Sequence, residues 1–289
     1  MIDLHIHGCF GYSFHRGNIE HNITMANRLK EKGIEWILAT LVALPYDRLK
    51  KALSAIRGAM EKTEVIRGAY IEGPFINREK LGGIPREYID SWQLEDFKGL
   101  IEEYKDVVKI VTVAPELREA DYILEFLKDR GIKVAIGHSL ATYEETMRFI
   151  EKGADLATHI YNAMREIHHR EPGIIGAILE SDIPCEIIAE KHHLHPATVK
   201  LTYRIKGKES VIPISDATSL AEDTEKERIF GGRRILKKDG ACFTEDDKLY
   251  GSAILLPTGL DYFVKLGVYE SVEDAVSSLK RAIEKIKIL

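Results

Sequence analysis

Cysteine is scarce in this sequence. Cys9, Cys185 and Cys242 lie far apart and form no C-x-x-C pair. That excludes a disulfide framework and a thiolate metal cluster, and predicts reduced, mostly buried thiols. No apolar run approaches the roughly 20 residues that span a bilayer, and the opening residues lack the basic-then-apolar layout of a signal peptide. A cytoplasmic protein without membrane contact is expected. No Lys/Arg-rich run interleaved with aromatics occurs, and 41 basic against 46 acidic residues leave a mild formal charge of −5. A nucleic-acid partner is therefore not expected. Glutamine appears only at Gln93, against abundant Lys, Glu and Ile, a bias associated with thermophilic sources. Linkers, low-complexity tracts and internal repeats are also missing. A chain of 289 residues, 45% of them hydrophobic, then reads most simply as a single domain over residues 1–289.

What is present is an alternation. Eight short apolar, β-branched runs recur along the chain: "MIDLHIH", "EWILATLVA", "VIRGAYIEGPF", "VVKIVTVAP", "KVAIGHS", "ADLATHIYN", "CEIIAEKHHL" and "SVIPISDAT". Segments such as "ITMANRLKEKG", "DYILEFLKDRG" and "TYEETMRFIEKG" lie between them, with apolar residues at three- and four-residue spacing and a terminal glycine suited to a helix C-cap. Near-continuous apolar strands separated by helices imply a parallel sheet covered on both faces. Eight of them, at about the usual 250 residues, predict an α/β fold of the (β/α)8 TIM-barrel type. The segments from "LLPTGLDYFVKLG" to the end read as two closing helices.

The polar residues fall at the C-terminal ends of these strands. His5 and His7 end the first, Glu72 the third, His138 the fifth, His159 the sixth, His193 the seventh and Asp216 the eighth. A barrel brings those ends to one face, where the βα loops build the active site. One histidine at a strand end is more often structural than ligating; several histidines, a glutamate and an aspartate aimed at one mouth are a metal-ligand set. Imidazole and carboxylate suit zinc, iron, manganese or cobalt. His5, His7, Glu72 and Asp216 form one possible group, and Glu72, His138 and His159 another, with Glu72 as a bridge. Asp216 has two readings: a metal ligand, or the group that takes a proton from water and returns it to a leaving group.

"DLHIHG", "IEGPFI", "TVAPE", "GHSLAT", "THIYNAM", "HREPGIIGAI", "HHLHP", "SDA" and "LYGSA" occur in the order and approximate spacing of the N-acetylglucosamine-6-phosphate deacetylases of the amidohydrolase superfamily, which the chain resembles over nearly its whole length. The resemblance implies Glu72, His138 and His159 as metal ligands, Asp216 as catalytic acid/base, and His5 and His7 as the extra ligands of two-metal members. It implies one or two divalent ions, zinc first, with iron, manganese or cobalt as alternatives. Asn162 and Ala163 match sugar-phosphate contacts, Arg170 and His193 match positions that engage the phosphorylated substrate, and Leu249, Tyr250 and Gly251 match a loop closing over it. The small-molecule substrate so implied is an N-acetylated amino-sugar phosphate. The family also carries a small β-sandwich built from segments flanking the barrel; this sequence shows neither, so a barrel without the sandwich is expected. The family tends to form homodimers, and a barrel without its sandwich leaves both a homodimer and another oligomeric state open.

Two departures stand out. After "EGPF" the family has Gly-Ala-His, whose histidine polarises the acetyl carbonyl; here "LGGIP" puts Gly83 at the alanine position, facing substrate, and Ile84 at the histidine. Ahead of "HHLHP" the family's Asp-Gly is replaced by Glu190 and Lys191. Hydrolysis of an acetamide is the expected reaction. The alternatives are another N-acyl or cyclic amide as substrate, or a sugar-phosphate-binding protein without catalysis, the latter prompted by Ile84 and the missing sandwich.

Overall fold

Each of the eight apolar runs forms a strand. In chain order these are β1 (Ile2–Ile6), β2 (Trp36–Val42), β3 (Ile66–Glu72), β4 (Val108–Val113), β5 (Lys133–Ile136), β6 (Leu156–Ala157), β7 (Cys185–Ile188) and β8 (Val211–Ile214) in the computed structural model, which describes residues 1–288. Almost every residue in them is buried, as strands covered on both faces require. They pair in parallel in the order of the sequence. The two ends meet where Asp216 N donates to His5 O at 2.9 Å and Ile6 bridges Ala217. The expected TIM barrel is therefore the observed fold.

The helices follow the strands: α1 (Ile19–Glu31), α2 (Tyr46–Met60), α3 (Leu94–Tyr104), α4 (Ala120–Lys128), α5 (Tyr143–Glu151), α6 (Gly173–Glu180) and α7 (Pro196–Lys206), then α8 (Leu256–Lys265) and α9 (Val272–Ile286) closing the ring after β8. Their starts are written in the sequence. Asn18 caps α1, Thr142 and Glu145 form a reciprocal capping box on α5, and Ser271 caps α9. No helix among the described residues is long and apolar enough to cross a membrane.

One element was not anticipated. Between β8 and α8 lies a four-stranded antiparallel sheet: β9 (Glu227–Phe230), β10 (Arg233–Lys238), β11 (Ala241–Thr244) and β12 (Leu249–Ser252). Phe230 pairs with Arg233 across Gly231-Gly232, and Lys238 with Ala241 across Asp239-Gly240. Ala217 bridges Ser252, which ties the last strand to the barrel rim, and a small cluster of Leu220, Ile235, Cys242 and Ala253 packs beneath. No β-sandwich is present among the described residues.

Inside the barrel a polar layer underlies the rim. Tyr70 Oη lies 2.8 Å from Thr158 Oγ1, which lies 2.9 Å from Thr112 Oγ1. These buried hydroxyls satisfy one another and form a fixed floor.

Candidate functional site

Side chains alternate along a strand, so Asp3, His5 and His7 share one side of β1 and its extension. Glu72 ends β3, and the turns after β5, β6 and β8 carry His138, His159 and Asp216. All three adopt positive φ, at 49°, 22° and 48° respectively. Such backbone costs about 1–3 kcal/mol per residue and concentrates at sites where geometry matters more than stability.

The Glu72 carboxylate is the hub. Its Oε1 lies 3.0 Å from His159 Nε2, 3.2 Å from His138 Nε2 and 3.6 Å from His5 Nε2. Its Oε2 lies 3.3 Å from His7 Nε2, which is also 3.2 Å from Asp216 Oδ1. Asp216 Oδ1 is 3.7 Å from His5 Nε2. The structure thus brings together all six residues that the sequence placed at strand ends as a ligand set.

The charge balance of this cluster is unusual. Among the described residues, the ion-pair partners of Glu72 and Asp216 are all imidazoles. Burial would raise the Glu72 carboxyl, but the charge of His5 and hydrogen bonds from His138 and His159 hold it well below its usual range. Burial likewise opposes ionisation of Asp216, and the hydrogen bond from His7 with the charges of His5, His7 and His159 outweighs it. In the imidazoles burial acts the other way and is again overcome. Glu72 and Glu186 push His5 well above its normal value, and Asp216 and Glu72 push His7 up to about 9. Buried anions here demand positive charge, which protons or a cation must supply.

A cation fits. Nε2 of His5 is buried, has no hydrogen-bond partner and faces both carboxylates. Ligands about 2.0–2.1 Å from a tetrahedral ion sit roughly 3.4 Å from one another, close to the 3.0–3.7 Å spacings around Glu72. Two groups have the required proximity, His5–His7–Asp216 and His5–Glu72–His159. The protein therefore holds His, Glu and Asp groups able to bind metal.

The rings are held from behind. His138 Nδ1 meets Lys80 O at 2.7 Å, and His5 Nδ1 meets Glu186 Oε2 at 3.1 Å. Glu186, fully buried in β7, also accepts from His159 N at 3.3 Å. Metal-binding histidines characteristically give their second nitrogen to such a carboxylate, yet within "CEII" nothing local distinguishes Glu186 from its apolar strand. Glu116, from "TVAPE", has a related duty, accepting from Asn77 Nδ2, Ser139 Oγ and Leu140 N to lock the loops after β3, β4 and β5 together.

Above the cluster opens a cavity of about 680 Å³. Asn162, Ala163 and His193 line one wall, and the antiparallel sheet roofs it with Leu249, Tyr250 and Gly251. Gly83 lies directly against Tyr250: a Cβ there would fall 2.2 Å from its ring. Ile84, at the histidine position of the resemblance, is buried and also lines the cavity. Glu190 accepts from His193 Nδ1 and from the His192 and His193 amides, so this departure from Asp-Gly still fixes the imidazole; Lys191 turns away to Asp239. Arg170 is placed differently from the other expected substrate contacts. It is exposed, bonded to its neighbour His169 at 2.8 Å, and does not line the cavity.

No protein-family model matches the chain. Individual relatives do. N-acetylglucosamine-6-phosphate deacetylase of Bacillus subtilis (strain 168) is 33% identical over 266 residues, 90% of this chain and 67% of the relative. N-acetylgalactosamine-6-phosphate deacetylase of Escherichia coli O157:H7 is 29% identical, across 92% of this chain and 71% of its own length. The crystal structure of N-acetylglucosamine-6-phosphate deacetylase from Pasteurella multocida superposes with a TM-score of 0.92 at 30% identity, covering 99% of this chain and 76% of that one. The Thermotoga maritima enzyme of the same name gives a TM-score of 0.89 at 28% identity, covering 99% and 77%. The chain thus spans about two thirds of the length of the curated relatives it matches. With that identity over that span, and with the shared barrel, the chain belongs to the N-acetylglucosamine-6-phosphate deacetylase family.

Proposed function

We propose that the protein hydrolyses the acetamide of an N-acetylated amino-sugar phosphate, with N-acetylglucosamine 6-phosphate as the first substrate, giving acetate and the free amine. One observation carries this reading: four histidines and two carboxylates converge on a single point at the floor of the roofed cavity. A protein that only bound sugar phosphate would have no use for that set.

In this reading Glu72, His138 and His159 hold a divalent ion, zinc first, and His5, His7 and Asp216 flank a second position. When bound, the ion supplies Lewis acidity, lowering the pKa of water toward neutrality and polarising the acetyl carbonyl. Asp216 is kept ionised by His7, so its Oδ atoms can take the proton of the attacking water. It then returns that proton to the nitrogen of the breaking amide, making the amine a competent leaving group. Asn162, Ala163 and His193 orient the sugar, with His193 held by Glu190 so that Nε2 is free for substrate. Tyr250, packed on Gly83 and tilted against the Phe230 ring, keeps bulk water from the reacting atoms. A cytoplasmic setting accords with the three free, buried cysteines.

The test is acetate release by metal-loaded protein from the 6-phosphates of N-acetylglucosamine and N-acetylgalactosamine, with and without chelator. Release that chelator abolishes is expected. Asp216→Asn should lower kcat by roughly 10²–10⁴-fold while metal content stays near that of the wild type. Failure of the loaded protein to release acetate from either epimer rejects the reading, and near-normal turnover by Asp216→Asn removes that residue from the chemistry.

A further inference from the structure

Of the two histidines flanking the second ion position, only His5 has a hydrogen bond behind its ring. His5 Nδ1 meets Glu186 Oε2 at 3.1 Å, whereas His7 Nδ1 is buried without a partner among the described residues. Yet His7 Nε2 sits between Glu72 Oε2 at 3.3 Å and Asp216 Oδ1 at 3.2 Å. A ring bonded at one nitrogen only can turn about its Cβ–Cγ bond, where the torsional wells are broad, unless something packs on its face. His15 supplies that face. The two rings lie almost parallel, 17° apart with centroids separated by 5.4 Å, in the offset stacking that aromatic pairs favour.

The sequence folds so as to make His15 rigid. Gly8 directly follows His7 and lets the chain double back at once, since a Cβ there would fall 2.3 Å from Tyr12 O. The short antiparallel ribbon of Gly8–Cys9 with Tyr12–Ser13 then brings the turn Phe14–Arg16 back to His7, where Phe14 N donates to His7 O at 3.1 Å. Pairing of β1 with β2 ends at Ile6 and Ala39, so the Val42 N–H has no strand partner on the β1 side. His15 Nε2 accepts that N–H at 3.1 Å. A backbone N–H can only donate, so Nε2 is the bare nitrogen, and Nδ1 carries the proton and gives it to Ser13 Oγ at 2.9 Å. The ring is therefore neutral, buried and held at both nitrogens. Phe230 of β9 packs on the same imidazole, with centroids 5.0 Å apart and planes at 70°. Satisfied hydrogen bonds alone would make His15 an ordinary core histidine; its stack on the ring that lacks a bond of its own gives it a further use.

We propose that His15 is a positioning residue for the metal centre: its clamped ring holds the plane of His7 so that Nε2 can ligate an ion between His5, His7 and Asp216, an assignment that rests on the second ion position proposed above.

The experiment titrates metal-free protein with cobalt(II), whose visible absorption follows ligand geometry, against a competing chelator, and reads the dissociation constants of the first and second equivalents separately. His15→Gln keeps an acceptor for the Val42 N–H but offers no ring; His15→Phe keeps a flat ring without the acceptor. Removing a group that orients a ligating histidine costs about 10–100-fold in metal affinity, so His15→Gln should weaken the second equivalent by about 10-fold, with altered cobalt bands, and leave the first within about twofold. His15→Phe should melt lower than wild type yet hold the second equivalent nearly as tightly, a separation of stability from affinity that a merely structural role would not give. A folded His15→Gln protein that binds both equivalents as wild type does overturns the proposal. So does a folded His15→Phe protein that loses the second equivalent as fully as predicted for Gln, which decides the matter if the Gln variant does not fold. Wild-type protein that takes up only one ion gives His7 nothing to ligate and also overturns it. None of these readings needs turnover: two ions bound without acetate release from either sugar phosphate fails the proposed function and leaves the role of His15 standing.

Discussion

Replacing Glu186 with glutamine tests whether the metal centre depends on a residue that never faces the cavity. Glu186 Oε2 meets His5 Nδ1 at 3.1 Å and His159 N at 3.3 Å, while its Oε1 has no partner. In Glu186→Gln the amide oxygen must occupy the Oε2 position, because an NH2 there would confront the N–H of His5. The nitrogen then falls where Oε1 now stands unpartnered, so no satisfied group is lost. What changes is charge. A hydrogen bond to an ionised acceptor contributes about 1.5–3 kcal/mol and one between neutral groups about 0.5–1.5, so roughly 1–1.5 kcal/mol of support for His5 disappears. At about 1.4 kcal/mol per decade, metal affinity should fall by an order of magnitude, the lower end of the 10–100-fold typical when a carboxylate behind a ligating histidine is removed. Equilibrium competition with a chromophoric chelator measures this directly and needs no turnover. The metal-free variant should fold and melt a few degrees below the parent, since Glu186 also supports the protonated His5 there. A dissociation constant within twofold of wild type, in a variant that still folds, would mean that Glu186 is a satisfied core carboxylate and nothing more.

Two further outcomes follow from the same geometry. His7 is held at about 9, above its ordinary 6.5, so its protonation stabilises the metal-free protein fully below pH 6.5 and that contribution is lost as pH rises through 9; chelator-treated protein should melt progressively lower across this window while metal affinity climbs as the proton becomes easier to displace, and a flat metal-free melting curve contradicts the assignment. Ile84→His should change kcat by less than tenfold, because His5, His7 and Asp216 form a ligand group beside the one at Glu72, His138 and His159, giving a second ion a position from which to polarise the carbonyl; an oxyanion donor in a site lacking one is worth about 10²–10³, so a hundredfold gain would show that the carbonyl is otherwise unassisted.

The barrel and its metal face were legible because both rest on local signals. Strand runs alternate with capped helices, and a parallel barrel leaves its strand ends only one place to go, so Glu72 and Asp216 could be matched to His5 without any knowledge of angles. Glu186 was hidden for the opposite reason. It sits inside the apolar run "CEII", and the histidine that explains it is 181 positions away. The antiparallel sheet had left a trace in Gly-Gly and Asp-Gly, the turn pairs that favour two-residue hairpins. Its strands, however, are exposed on much of both faces and carry no clear apolar alternation, so the turns stood without strands beside them. Arg170 shows a third limit. A motif fixes where a residue stands in the chain, but the direction of an exposed side chain depends on neighbours such as His169.

The placement of strain and charge explains why the site is built on this rim and nowhere else in the fold. His138, His159 and Asp216 all turn through positive φ immediately after their strands, at a combined cost of several kcal/mol. Each turn is pinned by bonds that the barrel would make anyway: Asp216 N to His5 O, Ile160 N to Glu186 O, and Asn77 N to His138 O. The buried hydroxyls of Tyr70, Thr112 and Thr158 hold the floor beneath them. The rim can therefore carry residues in conformations that a free loop would relax out of, and those conformations point imidazoles and carboxylates at one another across the barrel axis. The resulting excess of buried negative charge is not a defect of packing. Protons on His5 and His7 compensate it in the metal-free protein, and a cation that replaced those protons would gain the same attraction while leaving both imidazoles neutral and free to ligate. On this argument the affinity for metal is set as much by the carboxylates Glu72, Asp216 and Glu186 that hold the imidazoles protonated as by the histidines that would touch the ion.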